Sequence, residues 1–288
     1  MVWMLAASAS FAAMAACMKL ASQHSVPVGQ ILFYRGLISV VLIYAYLRGR
    51  QISWRTPHWA AHAKRGIIGF IGMAAYVSAI SLLPLATAVT LNYASPLILG
   101  CMLLFIYRER PHVITVASLL GGIGGIVLLL RPAFSSSQWL GASVALVSAL
   151  TAAISALNIR ALGQLAEPPA RTVFYFSLSV TLGALPWFCF SNPGSLTSTG
   201  AAYMLGAGIL ATVGQYTLTH AYQRGQTLIM SLLGYSQVVF SSLIGIVLWR
   251  DKLPLASWLG MALIIVCGAA ASGLVRPRPS AARTLQQN

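Results

Sequence analysis

The chain has 288 residues, of which 58% are hydrophobic and only 7% charged, with a formal net charge of +15. Soluble domains carry about 25% charged residues, so the composition excludes a soluble globular protein and leaves no room for a catalytic module outside the membrane. The basic excess does not signal nucleic acid, because the basic residues sit at the ends of apolar segments, where membrane topology accounts for them.

A membrane-spanning helix needs about 20 apolar residues. Ten stretches qualify: 2–21, 27–47, 65–83, 85–107, 113–130, 139–162, 172–190, 199–222, 227–249 and 255–275. Span 1 lacks a basic leader, and Lys19 follows its apolar run, so it reads as a retained helix and not a signal peptide. Span 2 carries Arg35 within Phe33-Tyr34-Arg35. Trp54 and Trp59, in the connection 51–64, read as interfacial anchors. Span 3 offers Tyr76. Span 4 carries Thr87, Asn92, Tyr93, Ser95 and Pro96, and the proline frees a backbone carbonyl at mid-depth. Pro186 is expected to do the same in span 7.

Spans 5 and 10 are rich in small residues. Gly121 and Gly125 form a GxxxG pair, matched by Gly268, Ala269, Ser272 and Gly273, which suits close helix packing within the fold or in a dimer. Span 6 has Ser148, Thr151, Ser155 and Asn158 at helical spacing. Span 8 has the fullest polar stripe: Thr212, Gln215, Tyr216, Thr219 and Gln223, with His220 beside them. Span 9 has Ser231, Tyr235 and Ser242, with Gln237 to one side and Gly234 as a bending point, as Pro96 is in span 4. Polar groups in hydrocarbon are costly and face a bundle interior or water.

A weak internal repeat organises these spans. The stretch 81–130 and the stretch 223–272 each read apolar helix, charged turn, apolar helix. The turns are Tyr107-Arg108-Glu109-Arg110 and Trp249-Arg250-Asp251-Lys252, and a shift of 142 also places Tyr93 on Tyr235. Five spans per copy force the second copy to enter the membrane from the opposite face, an inverted-topology repeat. The expected division is 1–131, a joint at 132–138, a second repeat at 139–276 and a disordered cytoplasmic tail at 277–288. With both termini in the cytoplasm, thirteen basic residues, Arg65 and Arg171 among them, fall on the inner side and four on the outer. The positive-inside rule favours that orientation.

The chain has three acidic residues, Glu109, Glu167 and Asp251, all in or beside connections. No carboxylate is placed to carry a proton or sodium ion at the midplane, and a strongly cationic substrate would find no partner there. Arg35 reads either as an anion contact or as a structural arginine reaching the interface. His220 reads either as a substrate contact that titrates or as a packing residue. Each aromatic has a packing reading as well. As a set, Tyr76, Tyr93, Tyr216 and Tyr235 with Asn92, Asn158, Gln215, Gln237, Thr219 and His220 would line a neutral, amphipathic cavity suited to a zwitterion with an apolar side chain. The four cysteines have no paired spacing, no histidines have metal-ligand spacing, and no phosphate loop, nucleophile set or HExxH is present, so neither enzyme, metal nor cofactor is expected.

The ten spans, the five-plus-five repeat, Phe33-Tyr34-Arg35 and the turns Arg108-Glu109-Arg110 and Arg250-Asp251-Lys252 together resemble the drug/metabolite transporter superfamily, EamA-type. Within it the chain is most similar to YddG-type exporters of aromatic and other amino acids. The resemblance implies an all-α integral membrane fold of ten helices around a central cavity, in a bacterial inner membrane. It implies export of amino acids from the cytoplasm by alternating access, with membrane lipid as the other partner and a monomer or homodimer as the assembly. Other small metabolites, nucleosides or drugs are the alternative cargo. The glutamate used for proton coupling by small multidrug members of the superfamily has no match in span 1, where Met14 and Cys17 stand.

Overall fold

A computed structural model describes residues 1–24, 26–83, 85–106, 108, 111–130, 139–190, 198–250 and 254–273. Backbone polar groups in hydrocarbon must be satisfied within the segment, and these uniformly apolar sequences meet that demand as helices. Twelve helices are formed: α1 (Val2–Gln23), α2 (Val28–Gly49), α3 (Trp59–Leu82), α4 (Leu85–Asn92), α5 (Ser95–Phe105), α6 (Val113–Leu130), α7 (Trp139–Gln164), α8 (Pro169–Phe190), α9 (Ser198–Arg224), α10 (Thr227–Leu233), α11 (Ser236–Trp249) and α12 (Leu255–Gly273). The described residues contain no strand. Among the described residues seven segments are long and apolar enough to cross a membrane, two of them being α4 with α5 and α10 with α11 taken together. The protein is therefore a multi-pass membrane protein. The joint at 132–138, the tail at 277–288 and the turn residues Tyr107, Glu109, Arg110, Asp251 and Lys252 lie outside the described residues.

One expectation about elements changes. The third span begins at Trp59, so Lys64 lies inside α3 and not in the connection before it. The two prolines differ in setting: Pro186 sits inside an unbroken α8, whereas Pro96 sits in the first turn of α5, just after a real interruption. The missing N–H is an orphan at a helix start, so a proline there costs nothing that the break has not already cost.

Helices pack in pairs. α1 packs on α9 and α11, α7 on α3, α4 and α5, α2 on α8, and α6 on α12. Ring contacts fix directions. The Trp3 and His220 rings meet tilted at 4.3 Å and those of His24 and Tyr203 stack at 5.6 Å, so α1 and α9 run antiparallel. At the other end of α1, Lys19 Nζ lies 3.9 Å over the Trp249 ring. Small residues set the closest crossing: a Cβ on Gly125 would meet the Gly260 carbonyl at 2.7 Å, and one on Gly260 would meet the Gly125 carbonyl at 2.5 Å. The glycines of α6 thus serve packing within the fold, against α12. Lipid is as apolar as leucine, so this close van der Waals contact, and not hydrophobic burial, holds such a pair.

Candidate functional site

A cavity of about 320 Å³ lies in the middle of the bundle. Both interrupted spans reach it. α4 gives way to α5 across Tyr93 and Ala94, and α10 to α11 across Gly234 and Tyr235. Hydrogen bonding continues through both breaks in tighter turns, Ala94 N to Leu91 O at 3.1 Å and Tyr235 N to Leu232 O at 3.0 Å. The two breaks face each other, and the Tyr93 and Tyr235 rings meet edge to face at 5.9 Å. These are the two tyrosines that the 142-residue shift superposes. The same shift pairs Arg108 with Arg250, whose backbones both turn left-handed, at φ 54° and 55°.

Of the residues proposed from sequence, Tyr76, Asn92, Tyr93, Gln215 and Gln237 line the cavity, with Pro96 and Gly234 beside them. Asn92 Oδ1 accepts from Ser148 Oγ at 2.9 Å, which fixes the amide across to α7. Gln215 Oε1 is buried with no partner. The structure places five residues elsewhere. Tyr235 is 1% exposed and packs behind the wall, its ring against Gly122. Thr219 is buried, and His220 lies under Trp3. The Tyr216 hydroxyl is 3.4 Å from that of Tyr46 on α2. Asn158 Nδ2 is buried without a partner and does not reach the cavity. The physical reason is common to several of them: α9 is enclosed on more than one side. Its stripe divides among the cavity (Gln215), α2 (Tyr216, and Thr212 bonded to Ser39 at 2.8 Å) and α8 (Gln223 bonded to Thr172 at 3.3 Å).

The wall also holds two arginines, Arg35 and Arg65. Position alone puts Arg65 at the cytoplasmic surface. It is 4% exposed, and its guanidinium carbon lies 4.1 Å from the centre of the Phe176 ring. Its guanidinium covers Gly69, the residue one turn further along α3 and away from the helix end. Arg35 donates from Nη1 to the Met73 sulfur at 3.3 Å. Both side chains turn to the cavity, so the wall is cationic and not neutral. The signal in the sequence was Gly69 four residues after Arg65, a bare helix face on which a long side chain can lie.

Away from the cavity, Glu167 ties the connection before α3 to the α7–α8 corner. It accepts from the Thr56 hydroxyl and, at 2.8 Å, from Arg171 Nη1, with His62 Nε2 at 3.4 Å. Arg171 Nε donates to Ser53 O at 2.9 Å, and the Tyr175 hydroxyl to Trp54 O at 3.1 Å. Burial raises the Glu167 carboxyl, but the Thr56 and Arg171 hydrogen bonds and the neighbouring cations outweigh it and hold it below the usual range. The four cysteines are free, and the described residues contain no cluster of three or more metal-ligating side chains.

Broken helices meeting at mid-bundle around a polar cavity are the architecture of a solute transporter. The EamA-like transporter family model matches the chain twice, at residues 1–131 and 139–271, and the chain belongs to that family. It is 30% identical over 266 residues to the pseudopaline exporter CntI of Pseudomonas aeruginosa, covering 91% of this chain and 92% of that one. An uncharacterised transporter of Helicobacter pylori is 26% identical, over 92% of this chain and 91% of its own. A riboflavin transporter of Rhizobium johnstonii is 28% identical, over 74% of this chain and 70% of its own. A crystal structure superposes with a TM-score of 0.83 at 22% identity, over 96% of this chain and 98% of that one, which supports the fold.

Proposed function

We propose that the protein is a secondary transporter that exports small organic metabolites across a bacterial inner membrane by alternating access. In this reading ten spans form two inverted five-helix repeats, divided at 132–138, with both termini cytoplasmic. The observation that carries it is the meeting of the two breaks at one cavity, with repeat-related Tyr93 and Tyr235 in edge-to-face contact. The packing supports the repeat: α1 on α9 and α7 on α3 exchange under it, as do α1 on α11 and α7 on α4 and α5, while α2 on α8 and α6 on α12 map onto themselves. The double match of one family model supports it too.

The relatives named for pseudopaline and riboflavin favour a metabolite cargo broader than amino acids. Neutral and aromatic amino acids are the second reading, favoured by Tyr76, Tyr93, Gln215 and Gln237 in the wall. The test is uptake into proteoliposomes, without any ion gradient, of labelled Phe, Trp, Thr, Met, riboflavin and succinate. Saturable flux of one or more solutes is expected, and Gln215→Ala/Gln237→Ala is expected to lose most of it. No flux of any solute would contradict the transport reading.

A further inference from the structure

We infer that the cavity is an oxyanion site for a small organic acid carrying two carboxylate-class groups, held by Arg65 at one level and Arg35 at the next. This deepens the transport reading and rests on it. Both guanidiniums are permanently charged. Of the chain's three acids, the one among the described residues, Glu167, is engaged by Thr56, Arg171 and His62 outside the cavity. Among the described residues the two cations therefore share a wall without a counter-charge.

Arg65 makes the case for a built site. It is 4% exposed, and its Nε and Nη1 have no hydrogen-bond partner. An arginine six residues from the start of a helix ordinarily extends back to water. This one extends the other way, over Gly69 and beneath Phe176. A Cβ on Gly69 would collide with Nη1 and lie 2.7 Å from the Phe176 ring, so the glycine opens the slot in which the guanidinium lies. Leaving a charge buried and unpaired is strongly unfavourable, and a guest oxyanion relieves it. Arg35 rests on Met73, one turn beyond Gly69, and sulfur is a weak acceptor that leaves its other donors for a ligand. The four residues from Gly69 to Met73 rise about 6 Å, so the two cations face the cavity at different heights. That arrangement suits a solute with an oxyanion at each end, each able to take a bidentate contact. Gln215, with its free Oε1, and Gln237 would engage the middle.

The test is binding to the purified full chain in neutral detergent, by calorimetry, with succinate, glutamate, glutamine and putrescine as probes. Succinate is expected to bind at least about tenfold more tightly than glutamine, and putrescine not at all. Arg35→Gln and Arg65→Gln are each expected to lose about tenfold for succinate, with Arg65→Lys between. If a glutamine variant does not fold, Arg35→Lys and Arg65→Lys decide by a smaller loss for succinate with glutamine binding unchanged. Added phosphatidylglycerol is expected not to compete; displacement of succinate by it would assign the pair to a lipid headgroup and overturn the inference. Equal binding of succinate and glutamine, or succinate binding indifferent to both arginines, would also overturn it. Gradient-free flux of solutes without anion preference would sink this inference alone, and succinate binding without flux of any solute would sink the transport reading alone.

Discussion

Single side chains decide what this protein recognises and how it responds to acid. The Glu167 cluster binds the connection before α3 to the corner before α8. Glu167 has a depressed folded-state pKa. A depressed pKa contributes stability above the unfolded value that is lost as pH falls through the folded one. The reference value for glutamate is about 4.3. The melting temperature is therefore expected to fall from about pH 5 to about pH 3, and Glu167→Gln to flatten part of that fall. Glu167→Gln is expected to cost about 1–3 kcal/mol at pH 7, because Thr56 and Arg171 donate to different carboxylate oxygens and the amide keeps only one acceptor and no charge. A melting temperature unchanged across this range would refute the scheme. At this scale the sequence was only partly legible. Asn92 and Gln215 could be placed because amides in hydrocarbon need a partner or a cavity. Arg65 could not be placed from its distance to the helix end, which does not distinguish a side chain that runs back to the interface from one that runs inward. Gly69 four residues on, which makes room for the inward course, is the one cue. Tyr216 and His220 share a helix face with Gln215 to within a turn, and helical spacing does not say which of two neighbouring helices a flank will meet.

Elements follow the sequence more closely. The apolar runs became helices, and the interruption before Pro96 was visible as a proline at mid-depth. Its counterpart before Ser236 has no proline, and Gly234 there is held in right-handed backbone at φ −58°; only the repeat made that break legible. Pro186 shows the limit of the signal, since the same residue type leaves α8 continuous. The α6–α12 crossing gives a sharp contrast between neighbours in one glycine run. A Cβ on Gly125 would strike the Gly260 backbone, whereas one on Gly124 would meet nothing within 4 Å. Gly125→Ala is expected to lower stability by about 1–3 kcal/mol through overpacking. Gly124→Ala is expected to be neutral or to stabilise by up to about 1 kcal/mol through helix propensity. Thermal unfolding in detergent measures both, and equal effects would contradict the crossing described.

At the scale of the whole molecule, the two stretches that the family model matches, 1–131 and 139–271, both contribute to one cavity wall. Asn92 and Arg65 come from the first, Gln215 and Gln237 from the second. In the proposed reading the two stretches are opposed repeats that exchange conformations, so that one site opens to either side while its residues stay in place. The Glu167 cluster spans the two stretches on the side of the α2–α3 connection, and the Lys19–Trp249 contact joins them at the other end. A structure with contacts across both ends needs one set to part at a time. The most direct measurement is thiol accessibility at the cavity. Gln237→Cys would be placed in a protein whose Cys17, Cys101, Cys189 and Cys267 are replaced by alanine, and a membrane-impermeant thiol reagent applied to oriented vesicles from each face in turn. Alternating access predicts modification from both faces, with a saturating transported solute changing the two rates in opposite directions. Modification from one face alone, whether or not solute is present, would contradict it.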